Sequence, residues 1–439
     1  MSDMSFLILG YYYPPMKAVG VLRMYYLSSA LAGKGYPVTV ISTKNSFRLQ
    51  QEPVVIPEAI EVLRVQTLDY RSLRFQRDRK VHFHESAKSG RAGRLAVRVM
   101  NSFPFNLLIG EGGLIYTLQA YRHAKKQVRE KNITHVISSF RPYADHVVGY
   151  LLKRKYPYLH WTADFRDIHV DSIKGNVLWP SLQHWINKRL LHPADLVTTV
   201  SAGCKKELDR YHNNVRVVYN GVPAVNTVTQ ALRSKFTLSY TGSLYGELRS
   251  PAPVFDAISN LLERGELDRK HLEICYAGKD SEAWRQWIDK YHLEDISADL
   301  GLIGIDEAKK LQEQSHINLL LTFAEKNLTG ALTAKVFEYL AASRPILTVI
   351  NGSLDPEIRQ LIEAHQAGSV FATQNYDPAR VEAVLKEYYK AWLQDDMEVF
   401  RIHSPKLKEI LWTRRIDEFL SLLENHGVRR LSPDKAISV

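Results

Sequence analysis

The stretch SHINLLLTFAEKNLTGALTAKVFEYLAASRPILTV, residues 315–349, constrains the fold more than any other part of the chain. It reads as strand, loop, helix, strand. Residues 317–322 are a short apolar run of strand character, 324–329 a polar loop, and 331–342 a run of helix formers with no internal Gly or Pro. Arg344-Pro345 ends the helix, and residues 346–350 form a second buried strand. Such a parallel βαβ unit sets the helix N-terminus at the carboxyl edge of the sheet, where α/β folds bind ligands. Free N–H groups and the helix dipole favour a phosphate there. Thr329 and Gly330 stand at the expected cap, with Ala331 opening the helix. Lys335 and Glu338 lie one turn apart on one face. Lys335 can neutralise phosphate, and Glu338 can accept two hydrogen bonds from a ribose diol. The spacing alone also fits an ordinary amphipathic helix carrying an exposed Lys/Glu pair.

The chain, 439 residues long, has room for two domains with separate cores. Its 45% hydrophobic and 24% charged residues are those of a soluble globular protein. The two cysteines, Cys204 and Cys275, fall in different expected domains, which suits a reduced, cytoplasmic compartment and gives no support for a zinc site. The opening residues lack the basic n-region of a signal peptide, and no stretch reaches the roughly 18 apolar residues of a spanning helix. The net charge of +11 invites a polyanion. Its basic residues are not interleaved with aromatics, so an anionic membrane face ranks above nucleic acid.

A first strand is expected at residues 6–12, then a loop to Gly20 and a helix from Val21 to about Gly33 with Leu22, Tyr25, Tyr26, Ala30 and Leu31 facing inward. This βαβ opening lacks a G-x-G-x-x-G fingerprint. Gly20 permits close backbone approach, and Arg23 is either a phosphate contact or a solvated helix arginine. Residues 71–98 are strongly basic and are followed by apolar Val97, Met100, Phe103, Phe105, Leu107, Leu108 and Ile109. That pattern suits an insertion, about 68–112, resting on anionic lipid at about 1 kcal/mol per basic side chain, or else a solvated loop. The strand at 160–163 delivers Asp164-Phe165-Arg166-Asp167 to the sheet edge; two carboxylates around an arginine there are either chemistry or an Asp–Arg pair capping the loop. In the second half a strand at 237–241 runs into Gly242-Ser243-Leu244-Tyr245-Gly246, where a glycine lets backbone N–H groups approach a pyrophosphate.

GALTAKVFEYLAASRPIL resembles the donor-binding signature of GT-B nucleotide-sugar glycosyltransferases, in particular family 4 and its relatives. FLILGYYYPP…GVLRMYYLSSALAGKGYPVTVIST, WTADFRDIH and VRVVYNGV are similar to further segments of the same family. The resemblance implies an α/β fold with two Rossmann-like domains facing a cleft and a C-terminal helix crossing back to the first. The expected boundaries are 1–222 for the acceptor domain, 223–405 for the donor domain, 406–430 for the returning helices and 431–439 for a tail. It implies that Glu338 holds the nucleotide ribose. The family's first glutamate falls at Gly330, and Ser343 replaces the usual glycine before Arg344-Pro345. Arg249, seven positions after Gly242, matches a basic residue that contacts the diphosphate, while a second basic position is Ser243 here. Gly304 marks the turn near the nucleotide base, and Gly20 and Arg23 the loop nearest the donor phosphate and acceptor. Arg166 stands where many members have a histidine; it would stabilise phosphate charge or hold the acceptor, and Asp164 or Asp167 would orient the acceptor hydroxyl or act as base.

These implications add up to a hexosyl-transferring enzyme of polysaccharide or glycoconjugate biosynthesis, retaining and metal-independent. No Asp-x-Asp occurs to hold a metal diphosphate. Its co-substrate is a nucleotide-diphosphate sugar, a UDP-sugar first, and its acceptor a glycan or lipid-linked saccharide. No other cofactor is expected. The expected site is the cytoplasm, with possible attachment to the inner membrane face. A nucleotide-sugar 2-epimerase of the same fold, or a non-catalytic glycan- or partner-binding member, are the alternatives; the missing basic residue at 243 and missing glutamate at 330 favour the latter.

Overall fold

The computed structural model describes residues 4–16, 19–44, 54–68, 91–170, 175–226, 231–246, 248–324 and 332–425. Two compact units result: Met1–Tyr219 with Arg415–Val439, and Asn220–Arg414.

The first unit is built on seven parallel strands: β1 (Phe6–Leu9), β2 (Val38–Thr43), β3 (Ile60–Val65), β4 (His135–Phe140), β5 (His160–Phe165), β6 (Leu196–Thr199) and β7 (Val215–Val217), in the order β3-β2-β1-β4-β5-β6-β7. Residues of β1, β2, β4, β5 and β6 are buried throughout. Helices cover both faces of a parallel sheet, so even the polar residues of these strands are buried. Alternation sends Leu7 and Leu9 into a core shared with Tyr116, Ala120 and Val148, and Phe6 and Ile8 into a core shared with Leu27, Leu31 and Phe419. The second core takes in Ile416, Phe419, Leu420 and Leu423 of the last helix, Trp412–Asn425.

The first helix runs Val19–Gly33, so Gly20 lies in its first turn and not in a preceding loop, and β1 stops at Leu9. Its inward stripe is Val21, Met24, Leu27 and Leu31, whereas Leu22, Tyr25, Tyr26 and Ala30 are only half-buried. Buried polar contacts set this rotation: Arg23 reaches Asp164, and Ser28 shares a 2.7 Å hydrogen bond with the Tyr13 hydroxyl. Most of the basic insertion, residues 69–90, lies outside the described residues; the helices Arg91–Asn101 and Phe105–Leu108 follow it.

The second unit has six parallel strands: β8 (Phe236–Thr241), β9 (Leu272–Ala277), β10 (Ser297–Asp299), β11 (Ile317–Ala324), β12 (Ile346–Gly352) and β13 (Gly368–Ala372), ordered β10-β9-β8-β11-β12-β13. Ile317, Leu319 and Leu321 alternate into its main core beside Trp284 and Phe255. In both sheets the strand order reverses at one place, between β1 and β4 and between β8 and β11. Crevices at such reversals are where open α/β sheets take ligands.

Candidate active site

In the second unit the helix after β11 is Ala334–Ala342, with Thr333 in extended backbone as its N-cap. The helix therefore opens three residues later than expected. Gly330 and Ala331 lie outside the described residues. The Thr333 hydroxyl is buried without a partner among the described residues and makes no cap bond to its own helix. Ser343 takes the left-handed conformation at φ 56°, which explains why a glycine is at home there; serine accepts that geometry at about 1 kcal/mol. Arg344 ends the helix by donating to the carbonyls of Glu313 and Phe400, at 2.7 and 3.1 Å.

This helix is stitched to the end of β8. The Tyr339 hydroxyl accepts from the Thr241 N–H at 3.2 Å; Gln312, from the helix Ile305–Gln314, reaches the Thr241 hydroxyl with its amide at 2.8 Å. One turn back from Tyr339, Lys335 lies over Gly242. A Cβ at Gly242 would stand 2.5 Å from Lys335 Cε and 3.0 Å from its Nζ, and Gly242 has φ +151°. Burial lowers the Lys335 ammonium below its ordinary value, Glu338 opposes that, and Arg249 adds to it. Arg249 is itself buried; one guanidinium nitrogen donates to the Ser243 carbonyl at 3.2 Å, and its Nε is left without a partner among the described residues. Lys335 and Glu338 are half-buried, and neither forms an ion pair among the described residues. Gly242, Ser243, Arg249, Lys335 and Glu338 are thus gathered at one reversal of the sheet.

Gly304 is the N-cap of the helix Ile305–Gln314, its N–H donating to Glu307 Oε2 at 2.9 Å. The turn before it borders the same edge, since Gly278 N–H donates to the Gly301 carbonyl at 2.8 Å.

In the first unit the residues expected to do chemistry are largely occupied with each other. Asp164 Oδ2 accepts from Arg23 Nε at 2.9 Å, and Oδ1 from Arg23 at 2.7 Å and from the Thr198 hydroxyl at 2.8 Å. Both partners of this pair are buried. Arg23 is therefore not a solvated helix arginine. The pairing inside the DFRD segment does not form; Asp164 pairs across to the first helix. Arg166 donates to the carbonyls of Phe140 and Arg141, at 3.1 and 2.9 Å, and to that of Gly20. A Cβ at Gly20 would run into the Arg166 guanidinium and displace it. Asp167 is exposed, Arg166 half-buried and Asp164 buried.

Asp145 is a residue of this site that no local sequence signal marks. It lies in the first turn of the helix Tyr143–Lys155, wholly buried, accepting from the Tyr11 N–H at 2.9 Å and from the Tyr116 hydroxyl at 2.6 Å. Burial pushes its carboxyl up to about 7. It ties the turn after β1 to the turn after β4, at the reversal of the first sheet. An acid in an apolar run is a signal in principle, but the N-terminal turn of any helix favours aspartate. His146 and His169 are buried and engaged with Ser138 and Asn187, at 2.7 and 3.1 Å; burial holds them at about 3 and about 4.

Residues 21–225 match the sequence profile of Glycosyltransferase Family 4. No curated protein sequence matches the chain. Among solved structures, sucrose-phosphate synthase from Thermosynechococcus elongatus is 12% identical with a TM-score of 0.59, over 96% of this chain and 98% of the other. The lipopolysaccharide outer core galactosyltransferase WaaB gives 10% identity and a TM-score of 0.56, over 97% and 100%. A protein from Listeria monocytogenes assigned as UDP-N-acetylglucosamine 2-epimerase gives 12% and 0.52, over 97% of each chain. At such identities the structural likeness establishes the fold, and the family 4 match adds the activity class. With two parallel sheets as in GT-B structures and a Glycosyltransferase Family 4 match over residues 21–225, the chain is a glycosyltransferase built on the GT-B fold.

Proposed function

We propose that the chain transfers a sugar from a nucleotide-diphosphate sugar, a UDP-sugar first, to a glycan or lipid-linked saccharide, with retention at the anomeric carbon and without a metal. The observation that carries this is Lys335 held over Gly242 beside the buried Arg249. In the transfer, the bond from the anomeric carbon to the β-phosphate oxygen breaks and one to the acceptor oxygen forms, and the diphosphate leaves with the added negative charge. Cations fixed where that charge develops lower the barrier. Glu338, one turn further along the helix, suits the ribose diol. Asp167, exposed at the edge of the first sheet, suits the acceptor hydroxyl. The epimerase reading needs acid and base groups around the sugar, and His146 and His169 are committed elsewhere.

Thermal stabilisation by a panel of UDP, GDP, ADP, CMP and dTDP tests the donor site. A nucleotide at a hundred times its dissociation constant stabilises the folded state by about 2.7 kcal/mol. One diphosphate is expected to raise the melting temperature of the wild type, and Glu338→Ala to lose most of that rise. If no nucleotide stabilises the wild type, the donor site is not where we put it.

We also infer peripheral attachment to an anionic membrane face, the context of a lipid-linked acceptor. Among the described residues no helix is long and apolar enough to cross a membrane. The first unit instead exposes large apolar side chains: Leu95, Leu118, Trp179 and Trp185 are each half or more exposed. Tryptophans with cationic neighbours, as in Arg189 stacked 4.9 Å from Trp185, suit a lipid interface. The protein is expected to sediment with phosphatidylserine vesicles at low salt, and Trp179→Ala with Trp185→Ala to weaken that binding. Equal sedimentation with neutral and anionic vesicles, or none with either, overturns it.

A further inference from the structure

A third cation reaches the turn after β8 from a different strand. Lys279, two residues beyond β9, sets its Nζ 5.9 Å from the centre of the Tyr245 ring. The same ring carries Arg249, whose Cζ lies at 4.5 Å. The two strand ends are pressed together here. A Cβ on Gly278 would overlap the Gly242 carbonyl oxygen and the Tyr276 hydroxyl. Asp280 Oδ2 accepts from the Leu244 N–H at 2.8 Å, and the Tyr276 hydroxyl donates to the Gly242 carbonyl at 3.1 Å. Gly278 and Asp280 thus fasten their segment to the turn 242–244, and Lys279 projects between them, exposed.

Arg249 links the group: it shares Tyr245 with Lys279 and acts on the Lys335 ammonium. Three cations therefore border one turn, and none forms an ion pair among the described residues. Like charges gathered this way repel one another, and an anion bearing more than one charge relieves all three at once. A single phosphate monoanion would need only one or two of them.

We propose that Lys279 is a further donor-binding residue, neutralising the diphosphate together with Arg249 and supplying the positive charge that Ser243 lacks. The proposal rests on the donor-site reading above. The segment is anchored by the contacts of Gly278 and Asp280 and not by the exposed Lys279 side chain, so Lys279→Gln leaves the fold intact.

Isothermal titration tests it, with the nucleoside diphosphate that best stabilises the wild type and with its monophosphate. Lys279→Gln is expected to weaken the diphosphate about tenfold, the loss of one charge-assisted contact, and the monophosphate much less. Lys279→Gln with Ser243→Arg is expected to recover most of the loss. If Lys279→Gln binds the diphosphate like wild type while Arg249→Gln does not, Lys279 has no such role and the donor site stands. If Lys279→Gln weakens both nucleotides equally, its charge does not act on the second phosphate and the proposal fails. If wild type binds no diphosphate, the donor-site reading fails and takes this one with it.

Discussion

Asp164→Asn is expected to melt the first unit about 10 °C below wild type. The carboxylate is buried with both oxygens engaged, accepting two bonds from the Arg23 guanidinium and one from the Thr198 hydroxyl. Removing one partner of such a pair leaves a buried, uncompensated charge and costs about 3–5 kcal/mol. For a unit of this size that is on the order of 10 °C in the melting temperature. Replacing both partners by apolar residues, Arg23→Met with Asp164→Leu, is expected to recover a good part of the loss, because no charge is then left alone. Calorimetry is the measurement, since the two units can unfold in separate transitions and only the first should move. Asp167→Asn is the control: its carboxylate is exposed, so its melting should match wild type whatever happens to turnover. If Asp164→Asn instead melts like wild type and loses transfer, Asp164 is part of the chemistry and the pair with Arg23 is incidental.

That prediction runs against the first reading of DFRD, and the reason is physical. A strand-end Asp-x-Arg-Asp advertises charge, but sequence does not say which opposite charge lies across the sheet. Arg23, 141 residues away, takes Asp164, and Arg166 turns to three backbone carbonyls. Long-range pairing of this kind also set the rotation of the first helix, where periodicity alone pointed to Tyr25 and Tyr26 and the buried Arg23 and Ser28 chose the neighbouring stripe. By contrast, the strand–helix–strand unit at residues 315–349 was legible, apart from the helix start, because its signals are local: an apolar run, a run of helix formers, a proline after the last turn. The same local signals placed Lys335 and Glu338 on one face. They did not show Lys279, because nothing near it in the sequence reveals that β9 ends against the turn after β8. Asp145 was hidden for the same reason, its partners Tyr11 and Tyr116 being on other elements.

Lys335→Ala is expected to lower kcat by 10²–10³, or about 3–4 kcal/mol, as removal of one preorganised charge-stabilising group does elsewhere. Stability should hold or rise, because the alanine removes a half-buried cation that has no ion-pair partner among the described residues. A released-diphosphate assay and a melting curve together separate this from a folding defect. Gly242→Ala should reach a similar loss by another route. Its new methyl would come within 2.5 Å of Lys335 Cε, and φ +151° is strained for alanine, so the lysine is driven off the turn. If the glycine matters because it seats the lysine, the two substitutions are not additive: Gly242→Ala should cost little further once Lys335 is alanine. Full additivity would mean that Gly242 acts through its own backbone, by letting N–H groups come close to the phosphate, and that Lys335 reaches the diphosphate without its help. The cycle therefore decides whether the turn after β8 is a contact surface or a seat for the cation above it.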